Sequence, residues 1–380
     1  MMKPVAIYIG RLSPERERWT LTDRCKFQWT TAFIAQFKRF RFVLISESEI
    51  DALFSEIENV ETKLMPEYST SFLSVYRHFN YRLSGVLKAS DCQLFISLEG
   101  IIPKSYKGKS CLLIPDSVSN DAEQKELSGL DRYRFRYLKK MVSQADWVIC
   151  QSQFTKKYLL QSLDLPEKNI HVMMPKTAGK NFRLLEWEER EKVKEQYSDG
   201  KEFLLYMGGF SKKETFVRLL KGLTVLKKKM NSGMVLVLSG EKEGSFKKFF
   251  ELVRTYHFRT DLKFTGTLTE NQQAELMGAA YACVIPSADV DFASPVLEML
   301  QCLSPVIVPS ESVHAALGQD AVSGFEKNDF EDLGDKLCEL YRNENKRAAL
   351  IRSAEKRAER NKELVLKPLF SELFDNLSKE

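Results

Sequence analysis

The chain has 380 residues, of which 43% are hydrophobic and 29% are charged, and its net charge is +5. That length suits two domains of ordinary size, and the composition excludes an intrinsically disordered chain. No apolar stretch is long enough for a signal peptide or a spanning helix, so we expect neither. The seven cysteines stand singly, without a C-x-x-C pair, and this pattern indicates reduced thiols and a cytoplasmic protein.

The first half of the chain alternates short apolar runs with segments of helical periodicity. The apolar runs are VAIYIG, FVLIS, QLFISL, CLLIP, WVICQS and IHVMMP, and the amphipathic segments include residues 72–88, 132–144 and 154–163. This alternation is typical of βαβ units around a parallel sheet. The sequence therefore predicts a doubly wound, Rossmann-like N-terminal domain over residues 1–178.

The same alternation starts again after KTAGKNF, an aperiodic stretch at residues 176–182 that we interpret as the linker. Strands are expected at FLLYMGG, MVLVLSG, LKFTG, YACVIPS and PVIVPS, and a long helix is expected over residues 214–230. Thr269 and Gln272 have the spacing of a capping box at the start of another helix. We predict a second doubly wound domain over residues 179–365, and a terminal helix over residues 366–380 that packs toward the N-terminal domain.

The strongest local signal for a binding site is the segment PSADVDFASPVLEMLQCLSPVIVP at residues 286–309. Ligands of open α/β sheets bind beyond the carboxyl ends of the strands, so a cleft between the two domains is the expected site. Ser294 fits an N-cap and Pro295 a first helical position. Such a helix start offers free backbone N–H groups to a phosphate, although most capped helices in α/β proteins bind no ligand.

This segment resembles the signature of glycosyltransferase family 4, P-S-x-x-E-G-F-G-x-P-x-L-E-A-x-A-x-G-x-P-V-I, without a gap from Pro286 to Ile307. LLYMGGFSKKETFVRLLKGL, VLVLSGE and FTGTLTENQQAELMGAAYACVIPS are similar to preceding stretches of the family, and LLIPDSVSND is similar to its His-Asp segment. The resemblance implies a GT-B fold of two facing Rossmann-like domains. It also implies sugar transfer with retention from a nucleotide sugar on the second domain to an acceptor on the first.

The resemblance also implies a set of site residues. In the family, loop amides before the helix hold the donor diphosphate, and a Glu binds the ribose. The corresponding residues here are Ser294, Pro295, Val296 and Glu298. The similar strand ends and turns add Gly208, Gly209, Lys212, Lys213, Gly240, Thr267 and Leu268 to the donor-binding residues, and Asp116 and Asp291 are the candidates for catalytic residues. The UDP- or GDP-sugar is a substrate, and we expect neither a cofactor nor a metal.

Several positions depart from the family pattern. Val290 replaces the Glu that contacts the donor sugar, and Pro115 replaces the His that precedes Asp116. Glu214 replaces the Lys that pairs with the diphosphate. Two like charges ~4 Å apart repel by about 4 kcal/mol at an effective dielectric constant of 20. Either Lys213 or Lys212 therefore takes over the role of the cation, or the donor does not bind in the usual way.

Two hypotheses about function stay open. One is a hexosyltransferase that acts on a glycan or lipid-linked acceptor, in the cytoplasm or at the inner face of the membrane. The other is a catalytically impaired GT-B protein that binds a glycan or stabilises a partner, which the changes at Val290, Pro115 and Glu214 favour.

Smaller signals have weaker support. Asp289 and Asp291 form a D-x-D motif that suits Mg²⁺ or Mn²⁺, but the family alignment runs through it. The cationic side chains of residues 132–140 form either a solvated helix edge or a strip that faces a cleft or a membrane, and no nucleic-acid motif accompanies them. We therefore expect no nucleic-acid partner.

Overall fold

The structure is a computed structural model that describes residues 3–16, 19–119, 128–163, 165, 167, 169–174, 179, 181–208, 213–240, 246–290, 292–360, 366, 369–371 and 374, with only the backbone for 246–250. The chain divides into two compact units. Unit 1 comprises Met1–Lys176, Asp291–Ala293 and Glu363–Glu380, and unit 2 comprises Thr177–Val290 and Ser294–Lys362.

Unit 1 is built on a parallel sheet of seven strands. The strands are β1 (Val5–Gly10), β2 (Phe42–Ser46), β3 (Val60–Leu64), β4 (Leu94–Ser97), β5 (Lys109–Ile114), β6 (Trp147–Cys150) and β7 (Ile170–Val172). Their order is β3-β2-β1-β4-β5-β6-β7. This is the doubly wound arrangement predicted from the sequence. The chain adds β2 and β3 on one side of β1 and then β4 to β7 on the other side, so the winding reverses between β1 and β4.

The helices of unit 1 cover both faces of this sheet, which is why its inner strands are buried throughout. They are α1 (Leu21–Gln36), α2 (Asp51–Phe54), α3 (Phe72–Arg77), α4 (Ser84–Ser90), α5 (Gly129–Gln144) and α6 (Gln153–Ser162). A π-helical segment, His78–Leu83, joins α3 to α4, so the helix predicted over residues 72–88 is one continuous run. A 3-10 turn, Asp116–Ser119, follows β5.

The C-terminal segment contributes to the core of unit 1. Phe374 stacks on Phe37 with ring centroids 3.8 Å apart, and Phe370 meets Phe33 edge to face at 5.0 Å. Leu366 is fully buried in the same cluster. These described residues of the segment therefore seal the face of the sheet that α1 covers.

Unit 2 has a parallel sheet of six strands with the same winding. The strands are β8 (Phe203–Met207), β9 (Val235–Ser239), β10 (Leu262–Gly266), β11 (Ala282–Val284), β12 (Val306–Pro309) and β13 (Val322–Phe325), in the order β10-β9-β8-β11-β12-β13. The helices are α7 (Trp187–Ser198), α8 (Lys213–Met230), α9 (Phe246–Thr255), α10 (Glu270–Ala279), α11 (Val296–Gln301), α12 (Val313–Gly318), α13 (Phe330–Arg342) and α14 (Glu344–Arg360). Short 3-10 turns span Arg259–Asp261 and Gln319–Ala321.

The capping box predicted at the start of α10 is confirmed. The backbone N–H of Gln272 donates to the Thr269 hydroxyl at 3.4 Å, and the N–H of Thr269 donates to Gln272 Oε1 at 3.0 Å. Over the described ranges, no helix has both the length and the apolar character of a membrane span.

Candidate functional site

The carboxyl edge of the unit 2 sheet carries a loop held by a buried histidine. The loop connects β11 to α11, and His314 comes from α12. His314 Nε2 lies 3.1 Å from the carbonyl oxygen of Asp289, which can only accept, so Nε2 carries the proton. Nδ1 of the neutral ring lies 2.8 Å from the Ser294 hydroxyl and accepts from it.

Ser294 extends this chain of hydrogen bonds to α11. Its Oγ accepts from the backbone N–H of Val296 at 3.2 Å. Burial lowers the pKa of His314 to about 4, and hydrogen bonds and charge at Asp289 oppose that shift. The ring is therefore neutral at pH 7 and supplies one donor and one acceptor, as the two bonds require.

Arg218 holds the other end of the loop. From α8, its Nη1 donates to the carbonyl of Pro286 at 2.5 Å, and Nη2 donates to Asn328 Oδ1 at 2.5 Å. Burial lowers the pKa of Arg218, while the carboxylates of Asp289 and Glu214 raise it. A cation thus stands at the carboxyl edge of the sheet, beside the loop that follows β11.

In unit 1, charged side chains fill the point where the winding of the sheet reverses. Glu99, just beyond β4, forms ion pairs with Lys26 and Arg134, and the backbone carbonyl of Glu99 accepts from Arg134 Nε at 2.9 Å. All of these side chains are buried. Burial, followed by the charge of Arg134, lowers the pKa of Lys26 to about 7. Gly10 ends β1 against Glu99, and a Cβ at Gly10 would overlap that carboxylate.

A second buried group lies beyond β2. Oε1 of Glu47 accepts from Tyr8 Oη at 2.5 Å and lies 2.7 Å from His78 Nε2. Among the described residues, Glu47 Oε2 and His78 Nδ1 have no hydrogen-bond partner. Buried polar atoms are usually paired, so these two atoms are exceptions among the described residues.

Asp116 lies immediately beyond β5 and is fully buried. Its Oδ1 accepts from Ser152 Oγ at 2.9 Å and from Thr155 Oγ1 at 2.5 Å. Burial raises the pKa of Asp116 to about 6, against the two hydroxyl hydrogen bonds, which lower it. Within the described residues, Oδ2 has no partner.

The Asp116 backbone also binds Phe292, which belongs to the same unit. The N–H of Asp116 and Nε2 of Gln151 both donate to the carbonyl of Phe292, at 3.2 and 2.7 Å. Oε1 of Gln151 is buried and has no partner in the described parts of the chain.

Comparison with known proteins shows what unit 2 resembles. Residues 188–357 match the family model described as glycosyl transferases group 1. Most of unit 2 is therefore similar to group 1 glycosyltransferases. The resemblance to glycosyltransferases inferred from the sequence is thereby confirmed, and the assignment to family 4 within that group stays a prediction.

A curated relative agrees with this similarity. The chain is 22% identical over 180 residues to the serotype-specific mannosyltransferase WbdA of Escherichia coli, an alignment that covers 46% of this chain and 22% of that relative. The chain thus spans about a fifth of the length of the curated relatives that it matches.

The similarity of fold extends over the whole chain. Sucrose-phosphate synthase from Thermosynechococcus elongatus superposes with a TM-score of 0.74 at 14% identity, covering 98% of this chain and 100% of that one. Anabaena HepE in complex with UDP-glucose gives 0.72 at 12% identity, covering 99% and 100%. The predicted GT-B class, with two Rossmann-like doubly wound domains, is confirmed.

Unit 2 brings its predicted donor residues to one edge of the sheet. Gly208 follows β8 and its N–H donates to the carbonyl of Ser239 at 3.0 Å; Gly240 follows β9 and its N–H donates to Gly266 at 3.2 Å. Thr267 and Leu268 follow β10. Because β10, β9, β8 and β11 are neighbours, these residues line up beside the loop that enters α11.

The start of α11 differs by one residue from the prediction. The carbonyl of Pro295 accepts the first helical bond, from Met299 N–H at 3.1 Å, so Pro295 is the N-cap and Val296 is the first helical residue. Ser294, predicted as the N-cap, precedes it and still caps Val296 through its hydroxyl. Glu298 lies inside α11 and is buried.

The structure describes only some of the other predicted site residues. Lys213 is exposed at the first position of α8. Gly209, Lys212 and Asp291 lie outside the described residues, and so does half of the D-x-D motif. Val290 is buried, with 5% of its surface exposed.

Sequence reasoning missed Arg218 and His314. Arg218 stands four residues after Glu214 on α8 and therefore on the same helix face, one turn further on. That spacing is the signal that points to it. His314 has no comparable signal, because its contacts with Asp289 and Ser294 arise only from tertiary packing.

Proposed function

We propose that the protein transfers a hexose from a UDP- or GDP-sugar to a hydroxyl of a glycan or glycolipid, with retention of configuration. The observation that carries this proposal is the convergence of Gly208, Gly240, Thr267, Leu268 and Ser294 at one edge of a domain that matches group 1 glycosyltransferases. HepE, whose fold is similar, has been solved with UDP and with UDP-glucose, which supports a nucleotide sugar as the donor.

On the donor side, the loop that follows β11 presents backbone N–H groups. One of them is the N–H of Ser294, a residue that is buried. Buried backbone donors are nearly always paired, so a phosphate oxygen would be a favourable partner for this one. His314 and Arg218 fix the two ends of the loop, and this order before binding reduces the cost of organising the loop around a diphosphate.

In this proposal, chemistry depends on stabilising the leaving diphosphate. Charge accumulates on its oxygens as the glycosidic bond breaks, and fixed donors at that point lower the barrier. Lys213, with Lys212, is the proposed cation. Arg218 contributes from the same helix, although Asp289 and Glu214 offset its charge. No metal is part of the proposal.

On the acceptor side, unit 1 has buried acceptor atoms without partners among the described residues, and these atoms suit a ligand rich in hydroxyl groups. Glu47 Oε2, Asp116 Oδ2 and Gln151 Oε1 can all accept hydrogen bonds. Sugar hydroxyls would supply the missing donors. Asp116, with a pKa of about 6, is ionised at pH 7 and is the proposed acceptor of the hydroxyl proton.

A second candidate is a non-catalytic GT-B protein that binds a glycan or stabilises a partner. The buried, apolar Val290 favours it, because the family's carboxylate for the donor sugar is absent at that position.

Thermal unfolding in the presence of UDP, GDP and their sugar conjugates separates the two candidates. A ligand at about ten times its dissociation constant stabilises the folded state by about 1.4 kcal/mol. The transferase requires stabilisation by one nucleotide family and slow release of free sugar from the matching donor. Stabilisation by glycans alone would instead support the second candidate.

The proposal places the protein in the cytoplasm, with peripheral contact to the inner face of the membrane where a lipid-linked acceptor would lie. Its partners are the nucleotide sugar and the glycan or lipid-linked acceptor, and no nucleic acid is included.

A further inference from the structure

Unit 1 exposes several large apolar side chains on one surface. Leu73 is 59% exposed and Tyr81 is 68% exposed, on the continuous run from α3 through the π-helical segment, and Phe135 on α5 is 42% exposed. Soluble proteins expose single apolar residues often, but a group of them marks an interaction surface.

The two elements that carry these side chains are packed together. The rings of Phe72 and Tyr133 have centroids 6.1 Å apart, and those of Tyr76 and Tyr137 are 6.5 Å apart. The Arg136 guanidinium lies 5.7 Å from the centroid of Phe72. The exposed faces of α3, the π-helical segment and α5 therefore form one continuous surface, which we call the α3–α5 surface.

Basic residues surround the apolar ones on the α3–α5 surface. The exposed cations are Arg77, Arg82, Arg132, Arg136, Lys139 and Lys140. In the part of the chain that the structure describes, none of them forms an ion pair, and the acid on α5, Asp131, pairs with Arg134. Arg134 itself is buried against Glu99 and does not belong to the exposed strip in which its sequence position places it.

This lack of pairing is not general for the cations of this protein. Some exposed cations elsewhere on unit 1 meet carboxylates, as Lys3 meets Asp91 at 2.8 Å and Arg41 meets Glu61 at 2.6 Å. Other exposed cations of unit 1, such as Lys38 and Lys88, have no ion pair among the described residues, but they do not form a group as dense as that of the α3–α5 surface. A dense group of cations that has no carboxylate partner among the described residues attracts an external anionic surface.

The combination of apolar and basic residues identifies the partner. Lipid phosphates attract the arginines and lysines, and the exposed apolar side chains gain by entering the boundary between headgroups and acyl chains. Tyrosine is suited to this depth because its ring is apolar and its hydroxyl is polar. A nucleic acid would use the cations and the aromatic rings, but it offers nothing to the aliphatic side chain of Leu73.

We propose that the α3–α5 surface docks the protein on an anionic lipid bilayer, with Leu73, Tyr81 and Phe135 inserted among the headgroups. This inference rests on the proposed function for its purpose, since it would bring unit 1 to a lipid-linked acceptor. It specifies the membrane contact of that proposal by its residues and by the charge of the lipid.

Co-sedimentation of the full chain with vesicles tests the proposal. Binding to vesicles of phosphatidylcholine that contain phosphatidylglycerol should be about tenfold tighter than binding to phosphatidylcholine alone, and added salt should weaken it. Replacing Leu73, Tyr81 and Phe135 together by Ser should lower the affinity by about tenfold, as should replacing Arg132, Arg136, Lys139 and Lys140 by Gln.

The matched control uses exposed apolar residues of unit 2. Leu184 is 53% exposed and Trp187 is 72% exposed, and the double change to Ser should leave vesicle binding unchanged. All substituted side chains are exposed, so each variant should keep the wild-type unfolding temperature, which verifies folding.

Two outcomes would overturn the inference: equal binding to both kinds of vesicle, or full vesicle binding by the Leu73, Tyr81 and Phe135 variant. Binding of nucleic acid in place of vesicles would assign the surface to that partner. The assay contains no nucleotide sugar, so failure of the proposed transferase activity would not affect its result.

Discussion

The hydroxyl of Ser294 donates to Nδ1 of His314 across 2.8 Å, and Nε2 of the same ring donates to the carbonyl of Asp289 at 3.1 Å. One buried ring therefore joins two points of the loop between β11 and α11. Arg218 also holds the loop, because its guanidinium donates a hydrogen bond to the carbonyl of Pro286. The loop in which the sequence signature lies is thus held by side chains from two other helices, α12 and α8.

Removal of the His314 ring should cost stability and donor affinity together. His314→Phe keeps the volume but removes the acceptor of the Ser294 hydroxyl proton and the donor to the Asp289 carbonyl, and a buried polar group that loses its hydrogen-bond partner costs about 1 to 3 kcal/mol. Urea unfolding measures the stability, and calorimetry with nucleoside diphosphates measures the affinity. An unchanged affinity in a destabilised variant would show that the brace serves the fold alone.

The same histidine predicts a dependence of stability on pH. Its folded pKa of about 4 lies below the unfolded value of 6.5, so the unfolded chain binds the proton more readily. The stability that His314 contributes is present above about pH 6.5 and is lost as the pH falls toward about 4. Between about pH 7 and pH 5, the wild type should lose about 2 kcal/mol more than His314→Phe. Parallel losses in both proteins would contradict the assignment.

Substitution of Glu298 should weaken nucleotide binding. Glu298→Ala is expected to lose about 1 to 3 kcal/mol of affinity, the range for hydrogen bonds to a charged group, if its carboxylate binds the ribose. Because Glu298 is buried in α11, Glu298→Gln serves as a variant with less effect on packing. Glu311→Ala, at an exposed position close to α12, is the matched control. Calorimetry that finds equal affinity in all these variants would remove Glu298 from the donor site.

The cation that reads the diphosphate can be identified by comparing ligands. Replacing Lys212 and Lys213 by Ala should weaken binding of nucleoside diphosphates far more than binding of nucleosides, since only the former carry phosphate charge. Arg218→Ala should weaken both, because it also releases the Pro286 carbonyl from its brace. If the lysine variant loses both ligands equally, neither lysine contacts the phosphates.

The sequence predicts the buried strands of both sheets but not two edge strands. The inner strands are continuous apolar runs, which parallel sheets bury on both faces. β3 reads VETKL and is only half-buried, and β13 reads VSGF with a central Ser-Gly; neither has a run of apolar residues. Charged or small residues at a sheet edge weaken the strand signal.

The candidate site shows a similar division. Gly208 and Glu298 follow from a local signature, whereas the roles of Arg218 and His314 depend on chain segments far apart in sequence. The sequence indicates that Arg134 is buried, although neighbouring basic residues make this pattern hard to see. It shares a helical face with the buried Leu138 and Met141, so its spacing alone indicates a buried charge that needs a partner.

Asp116 should determine the acid limb of activity. Asp116→Asn keeps the size and the hydroxyl contacts of the side chain but cannot take a proton, so turnover should fall strongly. In the wild type, turnover should decline as the pH falls through about 6, where Asp116 becomes protonated. The same acid limb in an active Asp116→Asn variant would assign the titration to another group.

Asp116→Asn should lower turnover but should not lower the stability of the fold. Its folded pKa of about 6 exceeds the ordinary value of 3.8 for an unfolded chain, so the stability that its proton contributes is present below about pH 3.8 and is lost as the pH rises through about 6. At neutral pH, Asp116→Asn should therefore be as stable as the wild type or up to about 3 kcal/mol more stable. Urea unfolding at neutral pH checks this prediction, and strong destabilisation would show that the carboxylate supports the fold.

The order of affinities for nucleotide sugars and bare nucleotides separates an enzyme from a non-catalytic relative. Val290 is apolar and buried where the family has a carboxylate for the donor sugar, and an unpaired sugar hydroxyl would cost about 1 to 3 kcal/mol. The side chain of Asp289 is already bonded to the Ser287 hydroxyl at 3.0 Å, so Asp291 is the better candidate to replace the missing group.

A working transferase should bind the correct nucleotide sugar at least as tightly as its nucleoside diphosphate, and should hydrolyse it slowly without acceptor. Asp291→Ala should reverse that order of affinities, whereas Asp289→Ala, the matched control, should preserve it because Asp289 is already engaged with Ser287. Competition calorimetry gives both affinities, and release of free sugar gives the hydrolysis rate. If the protein binds no nucleotide or nucleotide sugar even at millimolar concentration, the binding of a glycan or a partner protein becomes the better account of this fold.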